Sequence, residues 1–245
     1  GLVGYWPFCG NANDESGNGN NGTVNGAILT KDRFGNANSA YDFDGVNDYI
    51  SVANSSKLNL NDELTIQAWI KGRKVVSSGP ISGGRDLIPL VSKWITSGYQ
   101  DNSFLFSIQG NVLSCAIASS ISSSVSQAVS QSPHYLSVNT WHSLTYVKDS
   151  LYGTLFVDGV QVARVNLGNF NINNSSNNLF FGNWYHHIVN SYQTFEGTMD
   201  DIGIWNRALS ASEVQQLYSS GLPQTYQWSN GDTTSTISVS PDSTT

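Results

Sequence analysis

The sequence predicts an all-β protein in which two antiparallel sheets pack as a sandwich, with one short helix near the C-terminus. Apolar and polar residues alternate with a period of two in several short segments, as is typical of half-buried strands. Turn residues separate these segments, and the Asp158-Gly159 pair is typical of a tight hairpin turn. Helix signals are nearly absent before Ser210. Many short strands joined by turns favour a two-sheet sandwich.

Seven segments are predicted to be strands because they are rich in β-branched and aromatic residues. They are Leu64–Ile70, Ser103–Ile108, Val112–Ile117, Trp141–Lys148, Leu151–Asp158, Val160–Val165 and Asn178–Gly182. Two longer connections, 72–86 and 119–132, are rich in glycine or serine. Long loops at one end of a sandwich are frequent sites of function, although both are also explained as simple insertions.

An eighth strand is predicted to begin at Phe195 and to carry an adjacent pair of acidic residues. Strict alternation assigns Asp200 to one face and Asp201 to the other. The first face holds Thr198, Asp200, Ile202 and Ile204, and the second holds Met199, Asp201, Gly203 and Trp205. A carboxylate in a packed sheet needs compensation. A bound cation is one way to supply it.

A short helix is predicted to follow this strand. Ser210 and Glu213 form the S-x-x-E pattern of a capping box, and apolar residues follow at helical spacing. Gly221 and Pro223 are expected to end the helix. The composition changes after that point, so residues 1–221 are predicted to form the sandwich. Residues 222–245 are predicted to be a linker and the truncated start of a following β repeat, too small for a core of its own.

The composition indicates an extracellular protein. Of the 245 residues, 39% are hydrophobic, enough for a sizeable core, whereas only 12% are charged, about half the usual share. An uncharged polar surface also suits hydrogen bonding to sugars. The net charge is −7 and the basic residues are scattered, which argues against a nucleic-acid groove. No apolar run reaches the roughly 18–20 residues that span a bilayer, so we expect a secreted or cell-surface protein without membrane insertion.

The two cysteines, Cys9 and Cys115, do not form a metal-binding motif, and two thiols alone make a poor zinc site. In a secreted chain a disulfide between them would close a loop of about 100 residues. The chain-entropy model gives such a bond up to roughly 4–5 kcal/mol of stabilisation. We expect this disulfide; the alternative is two buried, unpaired thiols.

Seven motifs follow one another in the order found in a known domain family. They are Leu2–Phe8, Asp14–Thr23, Tyr41–Val52, Leu64–Lys71, Trp141–Lys148, Leu155–Gly159 and Phe195–Tyr218. The series resembles the laminin-G-like, concanavalin A-like jelly-roll domain of secreted bacterial proteins, over residues 1–221. The tail resembles the start of an immunoglobulin-like or surface-repeat module common in Bacteroidetes-type bacteria. The resemblance implies a jelly-roll module for carbohydrate recognition or adhesion, often with a structural calcium ion.

The resemblance also implies a calcium site. Calcium prefers six to eight oxygen ligands, and similar domains bring the loop 14–22 beside the acid pair of the last strand. We therefore assign Asp14, Asn20 and Asp200 as calcium ligands. The alternative is that these residues only form turns and hydrogen-bond one another. Asp44 and Asp48 are a second candidate pair, although stabilising the turn beside Gly45 explains them better.

Aromatic residues predict a site for a polysaccharide or other glycan, because sugar rings present apolar faces that pack on aromatic side chains. Trp184, Tyr185, His186 and His187, with Tyr192, are expected in an exposed loop between two strands. A second wall of this site is assigned to Trp94 and Tyr99, and Arg85 is expected to hydrogen-bond hydroxyl groups or an anionic sugar. The alternative is that Trp94 and Trp184 pack under loops as a satellite core.

Catalysis is not expected. Glycoside hydrolysis typically needs two carboxylates about 5–10 Å apart, and the E-x-D-x-x-E strand of sandwich glucanases is absent. The only glutamates are Glu15, Glu63, Glu196 and Glu213. His142 is expected to be structural. The leading hypothesis is a calcium-stabilised lectin-like module that binds a glycan through residues 184–192, next to other domains of the same polypeptide. The rival is a structural or adhesive module that spaces domains or binds a protein.

Overall fold

A computed structural model describes residues 1–74, 87–94, 102–109, 112–118, 126–130, 136–169, 171–186 and 191–221. The strands are β1 (Leu2–Trp6), β2 (Gly22–Asn25), β3 (Ile28–Thr30), β4 (Ala40–Asp44), β5 (Tyr49–Val52), β6 (Leu64–Gly72), β7 (Leu87–Ser92), β8 (Phe104–Gln109), β9 (Val112–Ala118), β10 (Ser126–Ser130), β11 (His142–Lys148), β12 (Tyr152–Val157), β13 (Val160–Asn166), β14 (Leu179–Phe181), β15 (Asn183–His186), β16 (Ser191–Thr194) and β17 (Glu196–Trp205). A 3-10 turn covers Ser56–Leu58, and helix α1 covers Ala211–Ser220. None of the described helices is long and apolar enough to cross a membrane.

The strands form two large antiparallel sheets and a small ribbon. The first sheet has the order β13-β12-β11-β6-β17-β4-β3, and β1 also pairs with β17. The second has the order β10-β9-β8-β7-β14-β5-β2, while β15 and β16 form the ribbon. The predicted antiparallel sandwich is therefore confirmed, and each of the seven predicted strands is present with ends that differ by no more than two residues.

The hairpin between β12 and β13 shows how local sequence sets this architecture. Asp158 and Gly159 have φ values of 51° and 75°. Two positive φ values in a two-residue connection are the signature of the type I′ turn, whose twist matches that of paired strands. The predicted Asp-Gly turn is confirmed.

The core lies between the two sheets. Strand β6, at the centre of the first sheet, turns Leu64, Ile66 and Ile70 into this core, where aromatic residues of the second sheet such as Phe104 and Phe106 also lie. The alternate residues of β6 are buried as well, from the opposite side. Both faces of this strand are therefore covered, and its outer face needs a second packing layer.

Helix α1 and the segment before it cover part of that outer face. Leu209 and Val214 form a second apolar cluster with Val147 of β11 and Phe156 of β12. The predicted capping box is confirmed, because the Ser210 hydroxyl accepts from the Glu213 amide while the Glu213 carboxylate accepts from the Ser210 amide. The helix ends directly before Gly221, as predicted.

Strand β17 departs from strict alternation at its acid pair. Asp201 has a φ of 45°, and the pairing with β6 shifts register between Asp200 and Gly203. This is a β-bulge, which adds one residue and reverses the phase of the strand. Met199 and Ile202 therefore both face the core. The predicted assignment of Asp200 and Asp201 to opposite faces is wrong, because the bulge brings both carboxylates to the outer face.

One arginine holds both carboxylates. The Arg33 guanidinium binds Asp200 through Nη1 and Asp201 through Nη2, the latter at 2.5 Å, while its Nε donates to the Gly221 carbonyl at 2.6 Å. The guanidinium also lies 4.6 Å from the centre of the Trp69 ring. Burial, and next the charge of Asp201, raise the pKa of Asp200 to about 8, although Arg33 opposes this rise. Arg33 thus joins the loop after β3 to β17 and to the end of α1.

The predicted disulfide is not formed. Cys9, just after β1, is exposed, whereas Cys115 in β9 is buried, and both are free thiols. The Cys115 side chain belongs to the core between the sheets. Burial, and then the charges of Asp200 and Asp201, raise the pKa of the Cys9 thiol. The exposed Cys9 and the core residue Cys115 therefore lie in different environments.

The Arg33 contacts predict a large loss of stability in Arg33→Met. Removing one partner of a buried ion pair leaves uncompensated charge and typically costs about 3–5 kcal/mol. A carboxyl group whose pKa is raised in the folded state holds a proton that the unfolded chain has released, so the folded protein loses stability as pH rises. Arg33 opposes the rise in the pKa of Asp200, so its removal costs more stability at a pH where this carboxyl group ionises. The loss in Arg33→Met should therefore be larger at pH 8 than at pH 5. Urea unfolding at both pH values measures it.

The matched control is Arg164→Met, because the Arg164–Asp149 pair is exposed and its atoms are 3.4 Å apart. Exposed pairs contribute about 0–1 kcal/mol, so this variant should unfold nearly as the wild type does. An Arg33→Met protein with a free energy of unfolding within 1 kcal/mol of the control would contradict the role assigned to Arg33.

A second prediction concerns two tyrosines that differ in their hydroxyl partners. The Tyr146 hydroxyl is buried in the core with no hydrogen-bond partner among the described residues, whereas the Tyr5 hydroxyl donates to Asp201 at 2.6 Å. Tyr146→Phe should leave stability unchanged or raise it by about 1 kcal/mol, because an unsatisfied buried hydroxyl is removed. Tyr5→Phe should lower it by about 1.5–3 kcal/mol, as is typical of a hydrogen bond to a charged group. Thermal unfolding of both variants tests this, and the opposite order would contradict it.

Candidate functional site

The predicted aromatic site is largely buried where the structure describes it. Trp184 lies in β15, within the β15–β16 ribbon, and its side chain is only 6% exposed. It packs with Trp94, which is 8% exposed, and with Leu105 and Ala118. The prediction of Trp184 and Trp94 as exposed platforms is wrong. These rings instead cover the outward-facing residues of β8 and β9, as the satellite-core alternative held.

The other residues of that predicted site remain predictions. Tyr185, His186 and Tyr192 lie in the paired strands of the ribbon, and Tyr185 pairs with Tyr192 in its register. The structure describes the backbone of these three residues. Arg85, Tyr99 and His187 lie outside the described residues.

The predicted calcium loop is organised by its own hydrogen bonds. Asp14 Oδ1 accepts from the amides of Tyr5 and Ser16 at 3.0 and 2.9 Å, and Oδ2 accepts from the Asn20 amide at 2.9 Å. Burial raises the pKa of Asp14, but the hydrogen bonds from Ser16, Tyr5 and Asn20 together lower it below its usual value. Asn20 Oδ1 accepts from the Ser55 hydroxyl at 2.7 Å. The oxygens proposed for calcium therefore already have protein donors.

Asp200 does not join this loop, because its carboxylate is paired with Arg33. The structure thus brings Asp14 and Asn20 together and pairs Asp200 with a guanidinium, where a calcium ion was expected. Among the described residues, no group of three or more acidic, histidine or cysteine side chains is arranged to hold a metal ion. The predicted set does not fit calcium. Asp44 and Asp48 stabilise a turn, since Asp48 accepts from the Asp44 amide at 2.9 Å.

An open cleft, which we call the α1 cleft, lies on the outer face of the first sheet. It is bounded by β1, β6, β17 and the C-terminal half of α1, and its volume is about 330 Å³. This is within the range of about 300–1,000 Å³ that is typical of ligand pockets. Its lining residues are Leu2, Tyr5, Arg33, Gln67, Trp69, Asp201, Trp205, Leu217, Ser220 and Gly221.

Two backbone features create the cleft. Gly203 pairs with Gln67 across the β6–β17 ladder. A Cβ atom at position 203 would lie 2.5 Å from the Trp205 ring, so glycine lets that ring lie across the strand. The bulge at Asp201 then turns its carboxylate to the same face. The cleft therefore depends on one glycine and one strand irregularity.

The cleft combines aromatic rings with polar groups. Trp205 and Tyr5 are partly exposed, whereas Trp69 is buried against Tyr218, with ring centres 5.8 Å apart. The Gln67 side chain is 4% exposed and has no hydrogen-bond partner among the described residues. The Asp201 carboxylate is 22% exposed. Apolar rings with a few converging polar groups are the usual construction of a small-molecule site.

A second hollow of about 290 Å³ adjoins the α1 cleft. It is lined by Trp205, Arg207, Leu209, Glu213, Gln216, Leu217 and Ser220. The two hollows share Trp205, Leu217 and Ser220, so together they form a groove along the helix. Glu213 in this hollow has its pKa lowered to about 2 by Arg207 and by its bonds to Ser210. This carboxylate is therefore ionised, and it already accepts hydrogen bonds from Arg207 and from the helix cap.

One constellation has the order of a hydrolytic triad. His142 Nε2 lies 3.1 Å from the Ser137 hydroxyl, and Nδ1 lies 2.8 Å from an Asp158 oxygen. The Ser137 backbone amide also donates to Nε2 at 3.3 Å, and the Ser143 amide donates to Asp158. The single Nε2 lone pair is therefore shared with a backbone donor, and neither hollow includes these residues. This arrangement braces the β12–β13 hairpin, as the structural role expected for His142 requires.

Comparison with known proteins identifies one family. A family model, Laminin_G_3, described as the concanavalin A-like lectin/glucanases superfamily, matches residues 44–215. A comparison with curated protein sequences finds no match.

Solved structures share the fold at low identity. The binding domain of Paraclostridial mosquitocidal protein 1 has a TM-score of 0.67 and 20% identity, covering 89% of this chain and 52% of that chain. The botulinum neurotoxin serotype G binding domain has a TM-score of 0.65 and 18% identity, covering 90% and 51%. Domain 4 of AbnA, a GH43 extracellular arabinanase from Geobacillus stearothermophilus in complex with arabinotriose, has a TM-score of 0.64 and 16% identity, covering 89% and 98%.

This chain therefore spans about half the length of the two toxin binding domains and nearly all of the arabinanase domain. Their similarity supports the sandwich and its topology. The family model covers well over half of the 245 residues. The chain belongs to the Laminin_G_3 family of the concanavalin A-like lectin/glucanases superfamily.

Proposed function

We propose that this chain is a non-catalytic glycan-binding module of a larger secreted or cell-surface protein. The observation that carries the proposal is the α1 cleft, where partly exposed aromatic rings surround a buried amide and a carboxylate. Sugars present apolar faces and hydroxyl groups, and such a cleft offers partners for both. Family membership supports the proposal, as does the fold shared with an arabinanase domain solved with arabinotriose.

A structural or adhesive module is the second candidate, and one observation favours it. Trp184, the leading residue of the predicted glycan site, is buried. The β15–β16 ribbon therefore contributes packing where its side chains are described. The burial of Trp184 thus favours a packing role for the ribbon. For the glycan-binding proposal it means that the α1 cleft is a better candidate site than the predicted aromatic loop.

The proposal predicts binding without turnover. The full chain should retain at least one polysaccharide from a panel of arabinan, xylan, β-glucan, mannan and polygalacturonate in affinity electrophoresis. It should release no reducing sugar from that polysaccharide, and it should hydrolyse no p-nitrophenyl acetate above the rate of a Ser137→Ala variant. The Ser137→Ala protein controls for the triad-like contacts.

Two results would contradict this prediction. Failure of every glycan to bind would favour the structural or adhesive alternative. Release of reducing sugar in step with protein concentration would show that the module is an enzyme.

Calcium provides a further prediction. The proposed ligand oxygens of Asp14 and Asn20 already accept protein hydrogen bonds, and Arg33 compensates Asp200. We therefore expect EDTA to leave the melting temperature unchanged. A metal present at 100 times its dissociation constant would contribute about 2.7 kcal/mol, so its removal would be visible in a thermal melt. A lower melting temperature in EDTA that calcium alone restores would contradict this expectation.

A further inference from the structure

We propose that the α1 cleft binds an uncharged sugar ring, with Trp205 against its apolar face and Gln67 and Asp201 bonded to its hydroxyl groups. This inference rests on the proposed function and adds to it both a site and a ligand class. It differs from the aromatic site that the sequence predicts, whose described tryptophans, Trp94 and Trp184, pack against residues of the second sheet.

The Gln67 amide is the strongest pointer to a ligand. Gln67 is more than nine-tenths buried, and its side chain lines the cleft without a hydrogen bond to the described residues around it, so the amide is available to a group in the cleft. A carboxamide presents donors and an acceptor together. A pair of sugar hydroxyl groups, each of which both donates and accepts, matches this set.

Asp201 supplies the second polar contact. One of its oxygens accepts from the Tyr5 hydroxyl at 2.6 Å, and the other accepts from Arg33 at 2.5 Å. An ionised carboxylate has about four lone-pair sites, so it retains acceptor capacity. Burial, and next the Asp201 charge, hold the pKa of the Tyr5 phenol far above its usual value. Tyr5 therefore remains a donor to Asp201 and leaves the free acceptor sites for hydroxyl donors.

The charges around the cleft disfavour an anionic sugar. Recognition of a carboxylate usually requires a free guanidinium fork. Each nitrogen of Arg33 already binds a protein oxygen, from Asp200, Asp201 or Gly221. Arg207 in the neighbouring hollow is paired with Glu213. A uronic or sialic acid would meet committed cations and the negative charge of Asp201.

The paired hollows extend the inference to more than one ring. Trp205 and Leu217 line both hollows, so a chain of sugars lying along α1 would contact the same tryptophan from two sides. Oligosaccharides should therefore bind more tightly than the corresponding monosaccharide.

The experiment uses the full chain and isothermal titration with oligosaccharides of arabinan, xylan, β-glucan and mannan, and with oligogalacturonate as the anionic probe. Gln67→Met and Trp205→Ala should each weaken binding of the neutral ligand at least tenfold. Gln161→Met is the matched control for Gln67→Met, because Gln161 is exposed on β13 and lines neither hollow. This control should bind as the wild type does.

A second variant tests the site at an exposed residue, so that its result does not depend on a substitution within the packed sheet. Ser220 is exposed at the end of α1 and lines both hollows, so Ser220→Trp should obstruct the groove without altering the core. Ser212→Trp, on an exposed part of the same helix that lines neither hollow, is its control. Thermal melts of all variants establish that each is folded. Loss of binding in Ser220→Trp alone would support the site even if Gln67→Met proved unstable.

The outcomes separate the site, the ligand class and the function. Suppose that the wild type binds a neutral glycan and that the folded Gln67→Met and Ser220→Trp proteins bind it within twofold of their controls. That result would overturn the site and leave the proposed function standing. Tighter binding of oligogalacturonate than of every neutral ligand would overturn the ligand class. Binding of no glycan by the wild type would overturn both this inference and the proposed function.

Discussion

The contact of Arg33 with two adjacent carboxylates is the constraint on which the outer face of the first sheet depends. Asp200 and Asp201 face the same side, and their charges would repel each other in a poorly hydrated environment. The guanidinium offsets that repulsion and also binds the Gly221 carbonyl. Because Trp69 contacts both Arg33 and Tyr218, the same cation anchors the end of α1. The walls of the α1 cleft are thus held by one side chain from a distant loop.

The fold was predictable from local sequence because its signals are local. The Asp158-Gly159 turn, the Ser210–Glu213 cap and the alternating strands each depend on residues that are neighbours in the chain. The bulge in β17 was also readable, although strict alternation missed it. Apolar residues at 199, 202 and 204 are spaced by three and then by two, and such a change of phase within one strand indicates an extra residue. The compensating cation, by contrast, comes from 167 residues away.

The candidate site was not predictable in the same way. Trp184 was expected to be exposed because it follows a strand, yet Trp94 and residues of β8 and β9 bury it from parts of the chain that lie far away in sequence. The α1 cleft likewise joins β1, β6, β17 and α1, and its polar centre, Gln67, looks like an ordinary alternating residue of a strand. What distinguishes Gln67 is the absence of a side chain at Gly203 beside it, which only the strand register reveals.

The helix that covers part of the outer face of the first sheet also bounds the candidate site. Strand β6 is covered on both faces, so its outward residues need a second layer, and α1 supplies it over β11 and β12. Over β17 the layer is incomplete, because the bulge presents the charged group of Asp201 there. The ring of Trp205, on the edge of this gap, belongs to the apolar layer on one side and to the cleft on the other. Stability and ligand binding therefore use the same tryptophan, and this shared use explains why the cleft lies beside α1.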